Sequence, residues 1–135
     1  MNTVAVVIAR LMNTPAVVAI TAARVRPLSL AQSDDGDGVA ITEISNTPVS
    51  RATGTNETFR SRVQLDCFSS TYQGAQLLAD AVVAALDNYT DAGTVPAIGS
   101  CMLESRNDLE GEDVPGSDAR RSFGVTLDFI LWHGS

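Results

Sequence analysis

The sequence predicts an α+β fold: a mixed, mostly antiparallel sheet of four to five strands packed against one long helix, with a short N-terminal helical segment. Two adjacent patterns carry this prediction. In residues 59–69 apolar and polar side chains alternate, which is the period of a half-buried strand. In residues 75–86 apolar side chains recur at steps of three and four, as in an amphipathic helix. A strand that leads directly into such a helix predicts a sheet with a helix lying on it.

Both predicted elements have one apolar and one polar side. On the strand, the apolar side is formed by Phe59, Val63, Leu65 and Cys67, and the polar side by Arg60, Arg62, Gln64 and Asp66. On the helix, the apolar side is formed by Leu78, Ala79, Val82, Val83 and Leu86, and the polar side by Gln76, Asp80 and Asp87. Ser70 or Thr71 can cap the helix, because a short hydroxyl side chain accepts from the N–H groups of the first turn.

The N-terminal segment predicts two short helices. Residues 3–12 place apolar side chains on one side of a helix, although their β-branched content leaves a strand as the alternative. Asn13-Thr14-Pro15 is a restart signal, a capping residue followed by proline at the first helical position. Residues 15–21 then form about two turns.

The remaining strands are predicted in order along the chain. Residues 24–27 form a short extended piece that Pro27 keeps at an edge. Residues 39–45, 98–106 and 122–132 form three longer strands, the last with the cleanest alternation in the chain. The predicted order is α, short α, β, β, β, α, β, β, in a single domain over residues 1–135.

Two long polar segments separate these strands. Residues 46–58 contain one large apolar side chain, Val49, and residues 107–118 are strongly acidic. Connections of this length are commonly functional, because a compact domain otherwise joins its elements with short turns. We therefore expect both segments to be functional or mobile connections.

Composition narrows the class of protein. The chain has 135 residues, 44% of them hydrophobic, which is enough for a core of its own. A net charge of −7 argues against a nucleic-acid binder that grips phosphates. All nine cationic residues are arginine, which reflects genome composition or a use of planar pairing at interfaces. No apolar run approaches the ~20 residues of a membrane span, so we expect a soluble, intracellular protein without a membrane partner.

The sequence offers little for catalysis, cofactor or metal binding. Its one histidine, His133, lies two residues from the C-terminus, where we expect fraying, and no nucleophile, phosphate-loop or dinucleotide motif is present. The acidic segment 33–38 fails as a calcium loop because Ile44 occupies the position of the bidentate acid. Cys67 and Cys101 are interpreted as buried hydrophobes. The predicted catalytic, cofactor and metal sites are therefore none.

Charged and apolar side chains outside the core are candidates for an interface. Arginine pairs and an acidic cluster are either solvated or pair between subunits, since arginine binds carboxylates with two hydrogen bonds. Ile44, Phe68, Ile130 and Trp132 lie opposite the predicted core, either capping its edge or forming apolar surface for a partner. The candidate interface residues are Arg51, Arg60, Arg62, Asp108, Glu110, Glu112, Arg120 and Trp132.

An ordered set of short motifs resembles the bacteriophage tail-completion, or tail-terminator, family. The set comprises Pro15-Ala16-Val17, the segment from Arg24 to Pro27, Gln32 before a loop, residues 41–45 with a polar loop to Arg60, VQLDCFSSTY at 63–72, the helix 75–86, LESRND at 103–108 and the closing segment 120–132. The similarity covers nearly the whole chain.

The resemblance implies structural work in a virion. Such proteins form rings, usually hexameric, that cap the head-proximal end of the tail tube, end its polymerisation and meet the head connector. The implied partners are further copies of the chain, the tail tube protein, and a head–tail connector or head-closure protein. The resemblance also implies that genomic DNA passes through the lumen without specific binding, and that segments 46–58 and 107–117 contact the tube, the connector or the lumen. The implied location is the tail or neck of the virion, assembled in the host cytoplasm. The alternatives are a monomeric or dimeric adaptor or ligand-binding module, and a hydrolase that uses the acidic clusters.

Overall fold

The computed structural model describes residues 3–21, 25–27, 37–49, 58–91, 93, 97–109 and 123–134. These residues form α1 (Thr3–Met12), α2 (Pro15–Thr21), β1 (Val25–Pro27), β2 (Gly38–Val49), β3 (Thr58–Ser69), α3 (Tyr72–Leu86), β4 (Ile98–Leu109) and β5 (Phe123–His133). The predicted α+β class and the predicted order of elements are confirmed.

The strands form one mixed sheet of five in the order β1-β2-β3-β5-β4. Only β1 pairs in parallel, with β2, and the other neighbours are antiparallel. Pro27 lies in the short edge strand β1, as its missing N–H predicts. The pairs that end the two long hairpins β2–β3 and β4–β5, Val49–Thr58 and Leu109–Gly124, lie at opposite ends of this sheet.

The helices cover one face of the sheet. The predicted inner face of β3 is confirmed, since Val63, Leu65 and Cys67 are fully buried. Every second residue of β5 from Val125 to Leu131 joins the same core cluster. The core residues of α3 are Ala75, Leu78, Ala79, Val82, Ala85 and Leu86, with Val83 partly buried beside them.

The N-terminal segment is helical, so the strand alternative for residues 3–12 is wrong. α1 is held at both ends by side-chain contacts: the Thr3 hydroxyl donates to the Glu43 carboxylate of β2, and Arg10 Nε donates to the carbonyl of Ala85 at 3.0 Å. The Arg10 guanidinium also lies 4.7 Å from the ring centroid of Tyr89. These contacts tie α1 to both the sheet and α3.

No single helix among the described residues is long and apolar enough to cross a membrane, whereas α1 and α2 together have the length and composition but are bent by 87° at their break.

Parts of both long polar segments belong to strands, so the connections between the strands are shorter than the sequence predicts. β2 continues to Val49, where it pairs with Thr58, and β4 continues to Leu109, where it pairs with Gly124. Residues 44–48 and 106–108 are exposed. Apolar and polar side chains alternate along a strand only where one of its faces is buried. The exposed ends of β2 and β4 pair through their backbones without such an alternation, so the sequence pattern did not indicate them.

The expected fraying at His133 is also wrong. His133 ends β5 between Phe59 of β3 and Ile98 of β4, and only 6% of it is exposed. The backbone N–H of Gly134 donates to the carbonyl of Ala97 at 3.0 Å, so pairing extends one residue beyond the strand.

Thr71, one of the two residues predicted to cap α3, is the N-cap of this helix. Its hydroxyl accepts from the backbone N–H of Gly74 at 2.9 Å, and its own N–H donates to Ser69 Oγ at 3.3 Å. A Cβ at position 74 would lie 2.7 Å from Thr71 Oγ1 and would also collide with Ser69 Oγ. The cap therefore requires a glycine here.

Replacing Gly74 by alanine should not stabilise the protein, because displacing the Thr71 hydroxyl costs about 1 kcal/mol, the usual cost of a lost N-cap, and offsets the gain in helix propensity. Inside an ordinary helix the same substitution raises the free energy of unfolding by about 0.5–1 kcal/mol. Whether the substitution stabilises the protein therefore tests the cap geometry. Urea unfolding measures the change. Ala84→Gly, at an exposed position of the same helix, is the control and should lose the ordinary propensity difference. A Gly74→Ala protein more stable than the wild type would contradict the cap geometry.

Candidate interaction surfaces

The structure brings three of the candidate interface residues together. Arg60 and Arg62 lie on β3, and Trp132 pairs with Arg60 across the β3–β5 ladder, on the sheet face away from the helices. Asp108 lies towards the opposite end, on the helix-facing side of β4. Arg51, Glu110, Glu112 and Arg120 lie outside the described residues, as does segment 33–36 of the rejected calcium loop.

The middle of this open face is a polar network. Arg62 Nη2 lies 3.3 Å from Asp128 Oδ2, and Arg62 Nη1 lies 3.8 Å from Glu104 Oε1. Ser105 Oγ donates to the same Asp128 oxygen at 2.9 Å. Asp128 is only 9% exposed. Sequence reasoning missed it, although its place on the polar face of β5 was the available signal.

A second part of the network lies one pair further along the sheet. Asp66 Oδ1 accepts from Gln64 Nε2 at 3.2 Å and from Thr126 Oγ1 at 2.9 Å. These side chains satisfy one another across β3 and β5. The centre of the open face is therefore a self-satisfied polar layer rather than a vacant binding site.

Apolar side chains become exposed towards one end of the same face. Met102 is 55% exposed and Trp132 39%, and half-buried Ile130 pairs with Met102. Ile44 is 51% exposed at an irregularity in the β2–β3 pairing. Phe68 was predicted either to cap the edge of the core or to form apolar surface for a partner. It is 3% exposed and belongs to the buried part of the sheet.

The opposite end of the molecule carries exposed aromatic side chains and Asp108. Tyr72 and Phe123 are in edge-to-face contact, with ring centroids 6.4 Å apart. Asp108 accepts from the Tyr72 hydroxyl at 3.2 Å and from Gln76 Nε2 at 2.8 Å. The hydrogen bond to Asp108 and the charge of that carboxylate raise the pKa of Tyr72. Sequence reasoning missed Tyr72 because its partner is 36 residues away.

The one histidine forms a buried pair with a serine. Ser61 Oγ lies 2.7 Å from His133 Nε2, and His133 Nδ1 donates to the carbonyl of Gly134 at 2.6 Å. His133 also stacks on Phe59, with centroids 5.7 Å apart. Ser61 is fully buried, so a substrate has no access to its hydroxyl. The pair holds β3 and β5 together instead of presenting a nucleophile.

The other reactive groups of the described chain are equally enclosed. Cys67 and Cys101 are free and buried, and burial raises the pKa of both thiols, that of Cys101 to about 12. Within the described ranges no group of three or more His, Cys, Asp or Glu side chains is arranged to hold a metal ion. A shallow cleft of about 320 Å³ beside Trp132 and His133 is mostly apolar.

Asp128→Ala should lower the free energy of unfolding by about 1–3 kcal/mol, because it removes a nearly buried acceptor of two hydrogen bonds. Asp80→Ala is the matched control. Its carboxylate pairs with Arg106 at 2.8 Å but its side chain is 62% exposed, so the loss should stay within ~1 kcal/mol. Chemical denaturation of both variants measures the difference, and equal losses would contradict a structural role for the Arg62–Asp128 pair.

Comparison with known proteins agrees with the resemblance found in the sequence. No curated protein matches the chain. Among solved structures, a chain described as "Virion of native gene transfer agent (GTA) particle" has the same fold, with a TM-score of 0.74, 16% identity, and coverage of 98% of this chain and 95% of that one. The family described as tail completion protein gp17 matches residues 5–133. The chain therefore belongs to the gp17 family of phage tail completion proteins, structural components of the virion.

Proposed function

We propose that this tail completion protein forms a hexameric ring on the head-proximal end of the tail tube, ends tube polymerisation there and joins the tail to the head connector. The observation that carries the proposal is the disposition of the two long hairpins. Their last paired residues lie at opposite ends of one sheet, so a single copy offers separate surfaces in two directions. A protein that joins two different structures needs such a pair of surfaces.

The length of the sheet supports this division of labour. β3 has 12 residues, which at 3.3 Å per residue extend over about 36 Å. The pair Val49–Thr58 lies at one end and the pair Leu109–Gly124 at the other. We assign one hairpin end to the tube and the other to the connector or head-closure protein, with Arg51, Glu110, Glu112 and Arg120 as proposed contacts in the connecting segments.

The charge of the chain suits a ring through which DNA passes. A net charge of −7 gives no sequence-independent grip on phosphates, since such binding is driven by cations that release counterions. Of the arginines on the open face, Arg62 is already neutralised by Asp128 and Glu104. The proposed role needs no catalytic group, cofactor or metal, and its work is done by contacts alone.

The proposal predicts the mass of the purified protein in solution. Light scattering at several concentrations should find a mass near six times 14.2 kDa, either for the protein alone or as the mass added to tail tubes from particles that lack this protein. A monomer or dimer under both conditions would contradict the ring and favour an adaptor or ligand-binding module.

The hairpin register allows a sharp test of the surface at the β2–β3 end. Because Val49 and Thr58 pair directly, an Asn-Gly turn can replace residues 50–57 without changing the strands. This variant should keep the wild-type unfolding midpoint within a few degrees, but particles that carry it should separate into filled heads and unattached tails under the electron microscope. A variant with Asn-Gly inserted into the wild-type loop is the control. Normal virions from the shortened variant would refute the role of this end.

A further inference from the structure

Arg60 differs from the other arginines that the structure describes. Arg10, Arg62 and Arg106 are held by carbonyl, carboxylate or amide oxygens of the same chain, and Arg26 also has an interaction within the chain. Arg60 is exposed on β3, and no described residue pairs with its guanidinium. In a chain with net charge −7, this cation is available for a carboxylate from outside.

Arg60 stands next to exposed apolar side chains. Trp132 lies directly opposite it, Ile130 lies one open-face position further along β5, and Met102 pairs with Ile130. We call Arg60, Met102, Ile130 and Trp132 the Arg60 surface. Arginine, tryptophan and methionine together are the composition of protein interfaces, where arginine and tryptophan also supply most of the binding energy.

The opposite end carries the complementary chemistry. Tyr72, Asp108 and Phe123, here called the Tyr72 surface, combine two exposed aromatic rings with a carboxylate. Each oxygen of Asp108 accepts one hydrogen bond, from Tyr72 or from Gln76. Since a carboxylate oxygen has two acceptor positions, both oxygens can still receive a guanidinium in the bidentate arrangement. Tyr72 and Gln76 hold the carboxylate in place beforehand.

One copy cannot join its own two surfaces. Phe123 and Trp132 are the two ends of β5, nine residues or about 30 Å apart. They also lie on different sides of the sheet, since Trp132 is on the open face and Phe123 on the helix-facing side. Two different, distant patches make a head-to-tail contact, and such contacts close into a ring when the rotation between copies permits.

We propose that the Arg60 surface of one copy receives the Tyr72 surface of the next, with Arg60 paired to Asp108 and Trp132 packed against the exposed aromatic pair. This inference rests on the proposed ring and names its subunit contact. A second copy is the partner that these side chains favour, because the same chain provides both the unpaired cation with apolar neighbours and the preorganised carboxylate with aromatic ones.

A charge exchange tests the pairing. Arg60→Glu and Asp108→Arg should each raise the dissociation constant between copies at least about tenfold, because each places like charges opposite one another. The double variant restores opposite charges and should recover most of the wild-type affinity. Concentration-dependent light scattering measures all three, in the presence of tail tubes where the wild type requires them.

Matched controls separate the contact from general effects. Arg26→Glu makes the same charge change on the exposed edge strand β1 and should leave association unchanged. Trp132→Ala should weaken association, whereas Leu77→Ala, which removes a 54% exposed apolar side chain from α3, should not. The unfolding midpoint of each variant shows that the subunit itself remains folded.

The outcomes distinguish this inference from the proposed function. Rings that form equally well from all variants, or single variants whose defects the double variant fails to repair, overturn the Arg60–Asp108 contact and leave the ring standing. Variants that form normal rings but no longer bind tubes also overturn it, since they assign the Arg60 surface to the tube. A wild-type protein that forms no ring in either condition overturns both.

Discussion

The burial of one face of β3 and β5 beneath the helices is the constraint on which the rest of the structure depends. Val63 and Leu65 on β3, and Leu127 and Phe129 on β5, have no exposed surface. Because the side-chain period of a strand is two, a slip of one residue would move Arg62 and Asp128 into the core and the leucines into water. The cost of that exchange fixes the register of the sheet, and with it every position on the open face.

The same constraint determines what the open face can be. Three helices lie on one side of the sheet, so the other side must either be polar enough to face water or be covered by another molecule. The sheet meets this requirement in two ways along its length. In the middle, Arg62, Asp66 and Asp128 are satisfied by their neighbours. Towards the Trp132 end, apolar side chains are left uncovered. This change from self-satisfied to exposed side chains along one face is why we propose the Trp132 end as a contact surface.

Sequence reasoning succeeded where burial imposes a period and failed where it does not. The alternation in residues 59–69 and the helical period in 75–86 predicted β3 and α3 with their inner faces. Residues 46–49 and 107–109 belong to strands whose ends extend beyond the core, so nothing in their side chains distinguishes them from loops. The partners of Asp128, Asp108 and His133 are 23 to 72 residues away, and only the register brings them together. The interface remains a proposal for the same reason, since its partners lie in another chain.

A modest subunit contact suits a protein that completes a tail. A single head-to-tail contact formed by a few exposed side chains is weak, because ordering the two copies consumes much of the interaction free energy. In a closed ring every copy makes two such contacts, and the last contact forms within one particle, at high effective concentration. In the proposed ring, copies joined by such contacts would gather at a tube end and close there together. A large apolar interface would instead assemble rings before any tube was ready, so a contact limited to a few charged and apolar side chains at each end suits assembly at the tube.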